Sequence, residues 1–302
     1  MSRGFTPRRI DALEDEVRRI AKQRLEPLRD SRAFDIQREF SVKLPMDVIG
    51  LLIGIPEEDR DRYREWVDGG LARDPETGMP SEEGLAGMAQ AGEYILRLLA
   101  ERRRAPREDL ISLLAVAELD DPDGARRLTD AEVGAFCGLL AAAGAETTAK
   151  LIGNAVVYLG RDGVQRKELW AAPELIPLAI EELLRFDAPS QFQGRVVLRE
   201  VEVHGVVIPA RARVALVTGA ACRDEREFPD PDRLLLTRTP QRNVYFGYGQ
   251  HFCIGKSLAR LEARVALEEI ALCFPDYEVD EAGLTRTYQA HVRGFANVPI
   301  RV

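Results

Sequence analysis

Phe246-Gly247-Tyr248-Gly249-Gln250-His251-Phe252-Cys253-Ile254-Gly255 is the stretch on which the reading of this chain turns. Its glycines do not make a dinucleotide fingerprint, because Phe252 stands where a third glycine is needed. They suit a tight loop that lets another backbone or a flat cofactor come close. Cys253 lies just before a helix expected from about Gly255 to Cys273, where the helix dipole and free amides favour a thiolate. Flanked by Phe246 and Phe252, such a thiolate can ligate a soft or borderline metal ion. The same residues also read as a buried structural cysteine beside a glycine turn.

Upstream, Thr129-Asp130-Ala131-Glu132 forms a capping box, and the helix it opens is apolar almost all round through Ala145, so it should be buried. In its middle stands Ala143-Gly144-Ala145-Glu146-Thr147-Thr148. An acid and two hydroxyls are costly to bury there without partners or a task. A threonine hydroxyl can bond back to the preceding turn and make a notch, and small residues let a ligand approach the helix backbone. The plainer reading is a polar patch where the helix surfaces. A third feature is Glu182-Leu183-Leu184-Arg185, on a helix whose apolar positions include Ile176, Ile180, Leu183 and Leu184. Taken alone, Glu and Arg at this spacing read as a surface pair worth only ~0.3 kcal/mol.

Outside these motifs the first two-thirds reads helical: Leu13 to Leu28, Asp35 to Ile53, a helix opened by Pro56, Ser81 to Arg104, and another from Pro106. Residues 68–84, with Gly69-Gly70 and Pro75, read as a loop, and Asp120 to Gly124 as a turn. Val196 to Val217 is rich in β-branched residues, with His204-Gly205 and Ile208-Pro209 as turn points. Residues 223–246 show little periodicity, and short strands are expected at Tyr277–Val279 and Asn297–Val302. The expectation is a mainly α protein with a small β part, in a single domain over 1–302.

The chain has 302 residues, 42 Lys plus Arg against 50 Asp plus Glu, and a formal net charge of −8. An acidic chain without a block of like charges argues against nucleic acid as a partner. No stretch approaches the ~18 apolar residues of a membrane span, and Met1-Ser2-Arg3-Gly4-Phe5 has no apolar signal region. Cys137, Cys222, Cys253 and Cys273 never pair as C-x-x-C, and with three histidines a zinc site or disulfide framework is not expected. A cytoplasmic protein without a membrane association is the resulting expectation.

Together and in this order, the three motifs resemble the cytochrome P450 family of haem-thiolate monooxygenases, most closely its soluble bacterial members. The pattern F-x-x-G-x-[HR]-x-C-x-G is complete from Phe246 to Gly255, and A-G-x-E-T-T and E-x-x-R support it. Gly194-Arg195, Phe228-Pro229-Asp230-Pro231-Asp232-Arg233 and Leu258-Ala259-Arg260-Leu261-Glu262 also look like that family. The resemblance implies a P450-like helical fold holding haem b, with Cys253 as axial iron ligand. It implies that Arg195 and His251 contact the haem propionates, with Phe246, Gly247, Gly255 and Ala143 also lining the cofactor. It implies that Glu146 and Thr147 form the proton-delivery pair, and that Glu182, Arg185 and Arg233 form a structural triad. It further implies O2 as substrate and a hydrophobic small molecule as its acceptor. Electrons would come from NAD(P)H through ferredoxin reductase and ferredoxin, docked on basic residues such as Arg238, Arg242, Lys256, Arg260 and Arg264.

The segment Met1 to Pro7 resembles one well inside the usual family sequence, which implies that about 100 N-terminal residues, a large part of a domain, are absent. That would leave apolar surface open on one side of the cofactor site. Alternatives to a reductant-driven monooxygenase are a peroxide-driven haem protein and a truncated, partner-binding fragment without catalysis. Phe186, Ala188, Pro189 and Ser190 are expected near a substrate pocket by the same resemblance.

Overall fold

The structure is a computed structural model that describes residues 5–302 except 72, 75, 122, 123, 240, 241, 290 and 291. Two short helices, α1 (Pro7–Asp11) and α2 (Glu14–Leu25), open the described chain, with Val17, Ile20, Ala21 and Leu25 buried along one stripe of α2. Strand β1 (Ala33–Asp35), a π-helical turn over Gln37–Ser41 and helix α3 (Lys43–Ile53) follow. One continuous helix from Asp35 was expected here. Asp35 instead caps the turn, accepting from the amides of Gln37 (3.0 Å) and Arg38 (3.2 Å), and also takes the amide of Val298 (2.9 Å). That last partner lies at the far end of the chain, where no local periodicity points.

Helix α4 (Glu57–Leu71) runs on through Gly69-Gly70, where a loop was expected, and α5 (Glu82–Arg104) packs against it. The glycines serve packing here: a Cβ on Gly70 would stand 2.2 Å from Met88 Cγ, and one on Gly84 would stand 2.4 Å from the Gly69 carbonyl. Their absence of side chains lets the two helices touch. Helix α6 (Leu110–Ala115) is capped by Asp109, and strands β2 (Glu118–Asp121) and β3 (Gly124–Arg127) pair as a hairpin. The expected turn at Asp120 to Gly124 includes 122 and 123, which lie outside the described residues.

The capping box forms as read. Thr129 Oγ1 accepts from the Glu132 amide at 3.2 Å while the Thr129 amide donates to Glu132 Oε2 at 2.8 Å, and helix α7 (Asp130–Arg161) runs unbroken from it. By length and composition α7 could cross a membrane, but half of its most apolar window is buried against other elements. Helices α8 (Gly163–Ala171) and α9 (Ile176–Phe186) follow, then strands β4 (Gln193–Val196), β5 (Val201–Val203), β6 (Val206–Ile208) and β7 (Arg213–Leu216). β4 pairs antiparallel with β7, setting Arg195 opposite Val214, and β5 pairs with β6. Helix α10 (Thr218–Ala221), helix α11 (Lys256–Cys273) and strands β8 (Glu278–Val279), β9 (Thr285–Arg286), β10 (Phe295–Asn297) and β11 (Pro299–Arg301) complete the order. β11 lies between β1 and β8, pairing Ile300 with Phe34 on one side and Val279 on the other.

The core falls into two clusters that share α7 and α11. One gathers Val17, Phe40, Ile49, Leu99, Val133 and Val265 from α2, the π-helical turn, α3, α5, α7 and α11. The other gathers Leu151, Leu159, Ile180, Leu183, Leu236 and Leu267, joining α9 and the irregular segment after α10 to the same two helices. Each fully buried Val, Leu or Ile is worth about 1.5–3 kcal/mol relative to exposure, so this shared wall holds α7 and α11 rigidly side by side. Ion pairs add register: Arg18 on α2 meets Glu268 (2.5 Å) and Glu269 (2.8 Å) on α11, and Arg264 returns the contact to Glu14 at 2.5 Å. Arg264 and then Arg18 hold the Glu14 carboxyl down at about 2. In the segment of β4 to β7, Val196, Leu198, Val206 and Val217 stand exposed.

Candidate functional site

The junction of the two core clusters holds an apolar cavity of about 290 Å³. One wall is α7, through Leu140, Ala143, Gly144, Thr147, Thr148 and Leu151. The opposite wall is the glycine loop and the start of α11, through Phe246, Gly247, His251, Cys253, Ile254 and Gly255, with Leu258, Ala259 and Glu262 behind them. Leu184, Pro189, Ser190 and Gln193 also line the cavity.

The glycine loop is built by its own backbone. The Cys253 amide donates to the Phe246 carbonyl at 2.8 Å and the Gly247 amide to Val244 at 2.8 Å, folding the chain back on itself. Gly247 has φ +77, which residues with a side chain rarely adopt, and a Cβ there would also press on the His251 carbonyl at 3.1 Å. Phe246 is fixed edge-on to Tyr245 at 5.4 Å, with the Arg260 guanidinium 4.8 Å from its ring centroid. Glu181 ties both neighbours down, accepting from Arg260 at 2.6 and 2.7 Å and from the Tyr245 hydroxyl at 2.5 Å.

Cys253 lines the cavity and is exposed there, with enough protein around the sulfur to desolvate a thiolate in part. This partial desolvation pushes its thiol up, and the amides of Gly255 and Lys256 with the charges of Arg260 and Lys256 pull the other way. The amides act as the helix-start argument expects, but they do not outweigh desolvation. On the facing wall the Thr147 hydroxyl donates to the Ala143 carbonyl at 2.8 Å, the bond back to the preceding turn that the sequence suggests, without interrupting α7.

Thr147, Ala143, Phe246, Gly247, His251, Cys253 and Gly255 thus meet in one cavity. Glu146 and Arg195 do not line it. Glu146 turns away to Lys150 (3.3 Å) and Gln289 (3.0 Å), because one step along a helix rotates a side chain by about 100°. Arg195, on β4, donates to its own neighbour's carbonyl at Gly194 (2.8 Å). Pro189 and Ser190 line the cavity as expected, whereas Phe186 does not. It packs edge-on against Tyr158 at 5.1 Å under the Arg223 guanidinium. Glu262 was missed: it is 2% exposed, its Oε2 has no hydrogen-bond partner, and burial pushes its carboxyl well up. A glutamate on an amphipathic helix gives no sequence signal of such a position.

Behind the cavity, Glu182 and Arg185 form a doubly hydrogen-bonded pair at 2.7 and 2.8 Å, both side chains wholly buried. The third member of the network is Arg238, whose Nε reaches Glu182 at 3.1 Å. Arg233, expected in that place, contributes its carbonyl to Arg185 at 3.2 Å. The surface pair that local spacing suggested is a core feature, because residues 222–235 wrap over it.

The donor set fits the haem that the resemblance implies. Among the described residues there is no cluster of three metal-ligating side chains, so a multi-ligand metal site is not offered. A lone thiol facing small residues across an apolar cavity suits a flat, apolar group that brings its own equatorial ligands and takes one from the protein.

The similarities to known proteins agree. A sequence model of the family described as Cytochrome P450 matches residues 171–276. The chain is 41% identical over 303 residues to cytochrome P450 123 of Mycobacterium tuberculosis, covering 100% of this chain and 74% of that protein. It is 39% identical over 305 residues to the vitamin D(3) 25-hydroxylase of Pseudonocardia autotrophica, covering 99% and 73%. Its structure matches Bacillus megaterium CYP109E1 in complex with testosterone at a TM-score of 0.90 and 32% identity, covering 99% of this chain and 81% of that one. With a mainly helical fold, a thiol at the head of α11 and relatives alike over its whole length, this chain belongs to the cytochrome P450 family of monooxygenases.

Proposed function

We propose that this chain places one oxygen atom of O2 on a hydrophobic small molecule, using electrons from NAD(P)H delivered through a ferredoxin reductase and a ferredoxin, in the cytoplasm of a bacterium. The observation that carries the reading is that one apolar cavity sets Cys253 on one wall and Thr147 on the other. The named activity of the Pseudonocardia relative and the testosterone in the Bacillus structure support an apolar substrate class.

In this reading haem b supplies oxygen activation, and a thiolate ligand favours cleavage of the O–O bond. Cys253 would hold the iron. Phe246, Gly247 and Gly255 keep the sulfur side close and dry, while Ala143 leaves room at the α7 backbone. His251, which lines the cavity, and Arg195 would hold the haem carboxylates, giving charge-assisted bonds to groups that would otherwise be buried unpaired. Thr147, whose hydroxyl donates to the Ala143 carbonyl at rest, would relay by handing on that proton as its oxygen accepts another from the acid. Glu146 is the acid that reloads it. For docking the electron carrier, Arg238, Arg260 and Arg264 already carry carboxylate partners. The reading therefore rests on Lys256 and Arg242 as cations toward an acidic protein.

The test is Glu146→Gln in the haem-loaded protein. Product formed per electron consumed should fall by about 10²-fold with reductant, while peroxide-driven product formation persists, since peroxide brings its own protons. Full reductant-driven turnover in this variant would remove Glu146 from the mechanism. Product with peroxide alone, in the unaltered chain, would favour the peroxide-driven alternative.

A further inference from the structure

Pro189 and Ser190, which line the cavity, are tied to a buried carboxylate that does not line it. Asp187 directly follows α9, and its side chain is 5% exposed. Its Oδ1 accepts from Arg293 Nε at 2.8 Å, and its Oδ2 from Arg286 Nη1 at 3.2 Å and the Tyr158 hydroxyl at 2.8 Å. Its backbone carbonyl accepts from Asn154 Nδ2 at 3.3 Å. Asn154 and Tyr158 stand one turn apart on α7, whereas Arg286 ends β9 and Arg293 comes shortly before β10. One residue thus joins α7, the end of α9 and both arms of the β9–β10 pair. The same strand pair grips the cavity wall. The Arg293 amide donates to the Pro189 carbonyl at 2.8 Å, and Val292 forms a β-bridge with Ser190.

We infer that Asp187 is a positioning residue that sets how far Pro189 and Ser190 stand from α7, and so how wide a molecule the cavity accepts. The inference rests on the reading of the cavity as the substrate site. Thr147, Thr148 and Leu151 of α7 line the same cavity as Pro189 and Ser190. A carboxylate bound to α7 through Tyr158, and to the strand pair that carries the wall through two arginines, fixes the spacing between them. Arg286 and Arg293 are 39% and 52% exposed, and exposed ion pairs alone contribute little. Here both converge on a buried acceptor, where charge-assisted bonds are stronger and directional. Arg286 is also stacked, its guanidinium 3.8 Å from the centroid of Phe295, the residue opposite it across the strands. Asp187 and both arginines therefore act on the cavity only through Pro189 and Ser190.

Asp187→Asn tests this, because it removes the charge at nearly constant volume. By hydrogen exchange, the Arg293 amide should exchange about tenfold faster in the variant, the scale of one charge-assisted bond, while the amides of α7 keep their protection. In the haem-loaded protein, imidazole and the wider phenylimidazole serve as probes, their binding read from the shift of the Soret band. A wall freed from its clamp stands further from α7, so the ratio of the two affinities should move several-fold toward phenylimidazole. Arg293→Gln should shift both readouts the same way and Arg293→Lys should restore them, since one donor to Oδ1 is enough; this pair decides if Asp187→Asn yields no folded protein. A merely structural role would weaken both probes together and leave their ratio unmoved. An Arg293 amide as protected as before, or an affinity ratio unchanged or reversed, overturns the inference. Failure of both probes to bind the unaltered haem-loaded chain overturns instead the reading of the cavity as the substrate site, and the exchange rates tell the two failures apart.

Discussion

Arg185→Ala is expected to lower the unfolding free energy by about 3–5 kcal/mol, a large share of the 5–15 kcal/mol typical of a whole domain. The guanidinium makes two bonds to Glu182 and donates to the carbonyls of Cys222 (2.9 Å), Pro231 (2.9 Å) and Arg233 (3.2 Å). Glu182 in turn accepts from the Leu235 amide at 3.0 Å and from Arg238. Truncation leaves the Cys222 and Pro231 carbonyls without a donor, the Arg233 carbonyl with Arg238 alone, and a wholly buried carboxylate with one cation instead of two. The segment thus released runs directly into Tyr245 and Phe246, so cofactor retention should fail along with stability. Arg185→Lys should fare little better, since a single ammonium cannot reproduce the fork. Urea unfolding followed by circular dichroism measures the loss. A shift under about 1 kcal/mol, the range of exposed ion pairs, would mean that this network does not hold the fold.

The second large effect is expected at Cys253. Cys253→Ser should leave the folded chain nearly as stable as before, within about 0.5 kcal/mol, because serine can accept from the amides of Gly255 and Lys256 that now face the sulfur. Reductant-driven product formation should nevertheless fall to background. None of the other cysteines can substitute: Cys137 and Cys222 are buried away from the cavity, and Cys273 ends α11. Retained turnover with wild-type stability would mean that Cys253 is a structural residue beside a glycine turn. Pairing stability with turnover separates loss of ligation from loss of fold.

What was legible from the chain was what local chemistry encodes. The loop from Phe246 to Gly255 signals itself through glycine spacing and a cysteine at a helix start, and the Thr129–Glu132 box marks the start of α7 to the residue. Thr147 was readable because a threonine inside a helix has one natural partner, the carbonyl four residues back. The features that escaped depend on distant segments. Glu182 and Arg185 look like a surface pair until residues 222–235 cover them. Arg238 rather than Arg233 completes that network because the irregular chain there follows no periodicity that fixes which side chain points inward. Strand β1 exists because β11, more than 260 residues later, lies beside it. Gly69-Gly70 spells a loop by composition and a close helix contact by packing. The direction of Glu146 depends on Lys150 and Gln289 together, and only the fold brings Gln289 near.

The most direct test of the account is the absorption spectrum of this 302-residue chain, produced with haem precursor, reduced and saturated with carbon monoxide. The account predicts a strongly red-shifted Soret band, the signature of a thiolate opposite the gas ligand, present in the unaltered chain and lost in Cys253→Ser. A band characteristic of a neutral axial ligand, or a chain that emerges without haem, would contradict it.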